Sequence, residues 1–140
     1  MSRWVIVVAV LLAFALGAAA SDKTIKKVTT VPTSPASGQQ MYNEYCAVCH
    51  GRDGKSGGPA APALTKMPAD LTLLAAHNKG KFPDRKVFYI IQGDSDTVAH
   101  GSKDMPVWGS IFQGMSGGSP AEVQMRITNL VGYIKELQAK

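Results

Sequence analysis

Residues 46–50 read Cys46-Ala47-Val48-Cys49-His50. Three chemically active side chains fall at i, i+3 and i+4, positions that share one face of a helix. The chain has only these two cysteines in 140 residues, so no disulfide framework can staple its fold. Upstream, Met1 to Ala20 has the layout of a secretory signal. Arg3 supplies the positive start, Trp4 to Leu16 is an apolar run of 13 residues, and Ala18-Ala19-Ala20 offers small residues for cleavage before Ser21. The run is short for a transmembrane helix, which needs ~20 apolar residues; an uncleaved anchor is the alternative. No cysteine stands at the cleavage point, which excludes a lipid anchor there. Export to an oxidising compartment disfavours free thiols, so Cys46 and Cys49 are expected to be bonded to something.

Cys-x-x-Cys-His is the attachment pattern of c-type haem. With both cysteines on one helix face, their sulfurs reach the two vinyl groups of a porphyrin and form thioethers. His50 then turns its imidazole to the iron. Two other chemistries use such residues. A thioredoxin-like dithiol needs a preceding strand, and none precedes Tyr42-Asn43-Glu44-Tyr45. A zinc site would need His77 or His100 at unhelpful spacing.

Working outward, Ser21 to residue 36 carries Lys23, Lys26, Lys27 and two prolines without apolar periodicity, and reads as a flexible linker. Residues 37–140 form the domain. Ser37 with Gln40 fits a capping box that opens a helix running through Cys49. A second helix is predicted from Asp70, with Leu71, Leu74 and Ala75 inward, to Lys79-Gly80. Asp84 is placed to cap a third, with Val87, Ile90 and Ile91 inward, ending at Gly93. Ser119-Pro120-Ala121-Glu122 opens the last, where Val123, Ile127, Leu130, Val131, Ile134 and Leu137 recur at helical spacing. Gly51 to Ala63 and Asp94 to Gly118 are predicted as loops. No period-two run suggests a sheet, so the fold class is all-α. Apolar residues make up 45% and charged residues 18%, enough for one core and against overall disorder. With 15 basic against 10 acidic residues, the net charge of +5 is too dilute for a nucleic-acid binder. Helices this short make a marginal core that needs a cofactor.

A haem held by His50 leaves the iron's opposite side to be filled. The candidates are Met41, Met67, Met105, Met115, Met125, His77 and His100. Met41 and Met125 fall within helices and read as core fillers. Met105 lies in Lys103-Asp104-Met105-Pro106-Val107-Trp108-Gly109, where Pro106 holds the preceding backbone extended, suited to presenting a side chain across a cofactor. Trp108 is placed to wall the pocket and donate its N–H, for instance to a propionate.

On these residues the chain resembles a monohaem class I c-type cytochrome over roughly residues 37–139. Gly38 and Tyr42 match that family's first helix, and Tyr133 matches the aromatic of a last helix that crosses it, with small residues easing the approach. Pro62-Ala63-Leu64, twelve residues beyond His50, resembles the segment whose proline carbonyl accepts the histidine Nδ1–H; Pro59 offers a second such carbonyl. Met105-Pro106 resembles the distal-ligand segment, and Trp108-Gly109 resembles one bacterial branch. The resemblance implies four or five short helices around one covalently bound haem c. It implies His50 and Met105 as axial ligands, with no vacant position for oxygen or peroxide chemistry, and one-electron transfer rather than catalysis. It also implies an exported, periplasmic monomer that meets redox protein partners. It would be held at a membrane only if residues 1–20 remain. Lys55, Lys66, Lys79, Lys81, Arg85, Lys86 and Lys103 are candidates to steer an acidic partner. The alternatives are a haem subunit of a periplasmic oxidoreductase complex, or a haem enzyme or sensor with an open distal site.

Overall fold

In the computed structural model, residues 31–93 and 105–139 are described. The signal segment 1–20, linker residues 21–30, His100 and Lys103 lie outside the described residues. Five α-helices appear, with no strand among the described residues: α1 Gly38–Met41, α2 Ala47–His50, α3 Asp84–Gln92, α4 Trp108–Met115 and α5 Pro120–Glu136. A π-helical turn, Tyr42–Cys46, joins α1 to α2, so one rod runs from Gly38 to His50.

The rod begins as its residues predict. Ser37 Oγ accepts from the Gln40 N–H at 3.1 Å. The reciprocal half of the box differs: Gln40 Oε1 accepts from the Ser34 N–H at 3.1 Å, one turn further upstream. Residues 31–36, expected as part of a loose linker, are tied down. Thr33 is buried, and Arg126 Nη1 donates to its carbonyl at 2.9 Å and its hydroxyl at 3.3 Å. Asn129 Nδ2 donates to the Pro35 carbonyl at 2.9 Å. The tether carries no apolar stripe, and polar bonds to α5 hold it instead. Arg126 was not among the expected core residues. It is buried because Thr33, Ser116 and Glu122 satisfy its guanidinium.

The first and last helices cross as expected. Tyr42 and Tyr133 meet with ring centroids 5.2 Å apart. The small residue at the crossing is Gly38, whose Cβ position lies 2.1 Å from the Asn129 carbonyl oxygen; Gly132 faces open space. Met41, Tyr42, Phe112, Ile127 and Leu130 form the fully buried centre. On α5, Ser119 Oγ accepts from the Glu122 N–H at 3.4 Å beside Pro120 at the first turn.

Three expectations are corrected. The helix predicted from Asp70 is instead a pair of 3-10 turns, Leu71–Leu73 and Ala76–Asn78. Asp70 does cap, accepting from the Thr72 N–H at 2.8 Å. The bond that would continue an α-helix, Ala75 N–H to Leu71 O, is absent: Ala75 N–H donates to Gln138 Oε1 at 2.8 Å, and Leu71 O accepts from Gln138 Nε2 at 2.7 Å. The second correction is α4, which occupies part of a predicted loop. Trp108, Ile111, Phe112 and Met115 stand at i, i+3, i+4 and i+7, a helical stripe interrupted by Gly109 and Gly114. Gly109 is required there because a Cβ would sit 2.3 Å from the Gln92 carbonyl oxygen at the end of α3. At Asp84 the carboxylate meets Lys135 Nζ at 2.9 Å rather than capping α3.

Candidate haem site

The rod presents Cys46, Cys49 and His50. Its π-turn is closed by the Ala47 N–H to the Tyr42 carbonyl, which adds one residue to the turn before the motif. Such turns concentrate at functional sites. Here the turn buries the consecutive residues Tyr45 and Cys46 together. Beyond His50 the chain reverses at Gly51 with φ 78°. The returning loop satisfies the carbonyls that end the rod: Ser56 N–H meets His50 O at 2.9 Å, Gly58 N–H meets Cys49 O at 3.2 Å, and Ala60 N–H meets Val48 O at 2.8 Å. The Tyr42 hydroxyl donates to Gly51 O at 2.7 Å, and burial pushes its pKa up.

Gly58 has no assigned role in the sequence, where it falls within the loop predicted from Gly51 to Ala63. Its Cβ position lies 2.4 Å from Val48 O and 2.6 Å from Ala47 O, so the loop lies directly on the motif's backbone. Gly58→Ala is expected to destabilise the domain by about 2–3 kcal/mol by lifting this loop. A thermal melt checks this. An unchanged midpoint would mean that the contact is looser than the geometry requires.

His50 Nδ1 lies 2.9 Å from the Ala69 carbonyl oxygen. A carbonyl only accepts, so the proton sits on Nδ1 and the Nε2 lone pair is left for a metal. Burial holds the imidazole pKa below its usual value, with the Ala69 bond opposing. The acceptor expected at Pro62 is therefore corrected to Ala69, and Pro59 does not take that role either. Pro62 lies exposed within the 3-10 turn Ala61–Ala63, which closes on itself through Ala63 N–H to Ala60 O. The chain runs on through Pro68 before it meets the imidazole. The overlooked signal was Pro68-Ala69-Asp70-Leu71, a second proline-led segment that ends in the Asp70 cap.

The cysteines are not joined to each other. Burial, and then the neighbouring Cys49, pushes the Cys46 thiol up to about 12, so it is no thiolate at neutral pH. That is the opposite of a reactive dithiol. Among the described residues no three His, Cys, Asp or Glu side chains converge on one ion-sized point. Cys46, Cys49 and His50 are spread along a helix edge, as a broad planar group requires and a zinc tetrahedron does not.

Trp108 opens α4 and is buried against Tyr45, the residue before Cys46, with centroids 5.3 Å apart and planes inclined by 28°. Phe112 completes the aromatic cluster, 5.8 Å from Trp108. Trp108 thus stands beside the motif. Met105 precedes it by three residues and is 38% exposed. Met41 is fully buried with its sulfur 4.0 Å from Arg126 Nη1, which removes it as a ligand. Met67 lies two residues before Ala69, in the segment that meets His50 Nδ1. His77 is exposed in the turn Ala76–Asn78.

A family model described as cytochrome c oxidase, cbb3-type, subunit III matches residues 33–134, well over half of the chain. The chain belongs to that family. It is a monohaem c-type cytochrome, all-helical, whose role is electron transfer through haem c. No curated protein and no solved structure matches it. The residues of this cytochrome suit the group: one helix edge offers two sulfurs and an imidazole of fixed tautomer, beside the aromatic wall of Tyr45 and Trp108. Among the described residues no helix is long and apolar enough to cross a membrane.

Proposed function

We propose that this cytochrome is a periplasmic one-electron carrier. Cys46 and Cys49 would hold its haem c through their sulfurs, and His50 and Met105 would ligate the iron. The observation that carries this reading is the 2.9 Å approach of His50 Nδ1 to Ala69 O, which leaves Nε2 free to ligate on the helix that bears both cysteines. Haem c, when bound, supplies a one-electron Fe(III)/Fe(II) couple. The chain's own residues do the rest. Ala69 orients His50 and strengthens its donation. Met105 offers a soft sulfur that favours the reduced state. Tyr45 and Trp108 exclude water from the motif, and the Trp108 N–H is suited to a propionate. Lys55, Lys66, Lys79, Lys81, Arg85 and Lys86 are all exposed and suit acidic redox partners. The run Trp4–Leu16 supports export. The family description also favours a second reading, in which this chain is a fixed subunit of an oxidase complex; pulldown from native membranes separates the two.

Optical spectroscopy tests the ligands. The oxidised protein is expected to show a weak long-wavelength band from sulfur on iron. Met105→Ala is expected to abolish the band, lower the midpoint potential and open the reduced iron to carbon monoxide. Survival of the band in this variant would transfer the role to another methionine.

A further inference from the structure

Gln138 follows α5 and has no expected role in the sequence. Its amide stands between Ala75 and Leu71, in place of one rung of an α-helix. Nε2 donates to Leu71 O at 2.7 Å and to Ile134 O at 2.9 Å, while Oε1 accepts from the Ala75 N–H at 2.8 Å. Both Nε2 contacts are carbonyls and the Oε1 contact is an N–H, so only this amide orientation satisfies all three. Next to it, Ala139 N–H donates to Thr72 O at 2.9 Å. The residues so held, Leu71 to Ala75, have the caps and apolar spacing of an α-helix, yet they form 3-10 turns. On their other side Leu71 N–H donates to Gly54 O at 2.8 Å. Two residues before Leu71 stands Ala69, whose carbonyl takes His50 Nδ1.

We infer that Gln138 is a positioning residue for the axial histidine. Its amide wedges the 69–75 segment out of the helix its sequence favours and so keeps the Ala69 carbonyl on His50 Nδ1. This inference rests on His50 ligating the iron. Without the wedge, Ala75 N–H and Leu71 O are free to bond each other. The first turn then tightens, and the Ala69 carbonyl is drawn from the imidazole. An imidazole that loses this acceptor donates less to iron, which favours Fe(II).

The test uses the haem-loaded, reduced protein. Gln138→Met keeps the length of the side chain and removes all three bonds. Gln138→Glu keeps the acceptor for Ala75 and loses the donor to Leu71; it serves if the first variant folds poorly. Exchange of the His50 Nδ1 proton with solvent deuterium, read by NMR, is expected to become about tenfold faster in either variant, the loss of roughly one hydrogen bond. The midpoint potential is expected to rise. Val123→Ala, which trims the core at the opposite end of α5, is expected to leave both readouts unchanged. Wild-type exchange and potential in the Gln138 variants would overturn the inference, as would equal shifts in Val123→Ala. If wild-type spectra show no iron on His50, the ligation reading itself fails, and that outcome is visible before any variant is made.

Discussion

Replacing both Cys46 and Cys49 by alanine is expected to leave little folded protein. The reason is the size of the core. Among the described residues only 15 hydrophobic residues are buried, and α1, α2, α3 and α4 are of nine residues or fewer. Between His50 and Asp84 the chain makes only 3-10 turns, whose hydrogen bonds are poorer than those of an α-helix. A domain of this size usually needs a cofactor or cross-link. Binding to the folded form alone stabilises that form, and covalent attachment makes the contribution permanent. The single variants should rank. Cys46 is buried, so Cys46→Ala loses packing as well as a link, whereas Cys49 is half-exposed and Cys49→Ala loses mainly the link. Far-ultraviolet circular dichroism and a thermal melt of the exported protein check this. A haem-free double variant with wild-type helicity and a cooperative melt would show that the polypeptide core suffices alone.

The parts that were legible in the sequence are those whose physics is local. Ser119-Pro120-Ala121-Glu122 and the stripe from Val123 to Leu137 carry their own start signal and periodicity, and α5 follows them. The haem motif is a pentapeptide, so nothing distant was needed to place Cys46, Cys49 and His50 on one edge. What was not legible depends on residues far apart in the chain. Leu71 to Ala75 has the spacing of a helix, but Gln138 intervenes 63 and 67 residues later. The His50 acceptor is expected at Pro62 because Pro62-Ala63-Leu64, twelve residues beyond His50, resembles the family's acceptor segment. The turn Ala61–Ala63 closes early, and the carbonyl that arrives belongs to Ala69. Arg126 carries no burial signal in the sequence, since its partners Thr33 and Ser116 lie in segments without periodicity. In α4, Gly109 weakened the helical signal for the same reason that the fold needs it: the Gln92 carbonyl comes too near for a side chain.

Gly38→Ala is expected to destabilise the domain by about 3 kcal/mol, a large share of the ~5–15 kcal/mol that holds a domain of this kind. Two effects oppose each other. Alanine is the better helix former by about 1 kcal/mol. Against that, the new Cβ would lie 2.1 Å from the Asn129 carbonyl oxygen, 2.7 Å from its carbonyl carbon and 3.0 Å from Tyr133 Cβ. Two of these atoms are backbone, so no rotamer change relieves the clash, and α1 and α5 must separate. Separation opens the Tyr42–Tyr133 contact at 5.2 Å and the fully buried Met41 and Leu130 beside it. It also strains the 2.9 Å bond by which Asn129 holds Pro35 and the leading segment. Sterics therefore outweigh propensity, and the melting midpoint should fall by roughly 15 °C. Gly132→Ala on the facing helix gives the opposite sign. A Cβ there meets nothing within 4 Å, so propensity acts alone and stability rises by about 0.5–1 kcal/mol. The pair measured together separates close packing from helix propensity. If both midpoints rise, the crossing has room for a methyl group and does not depend on Gly38.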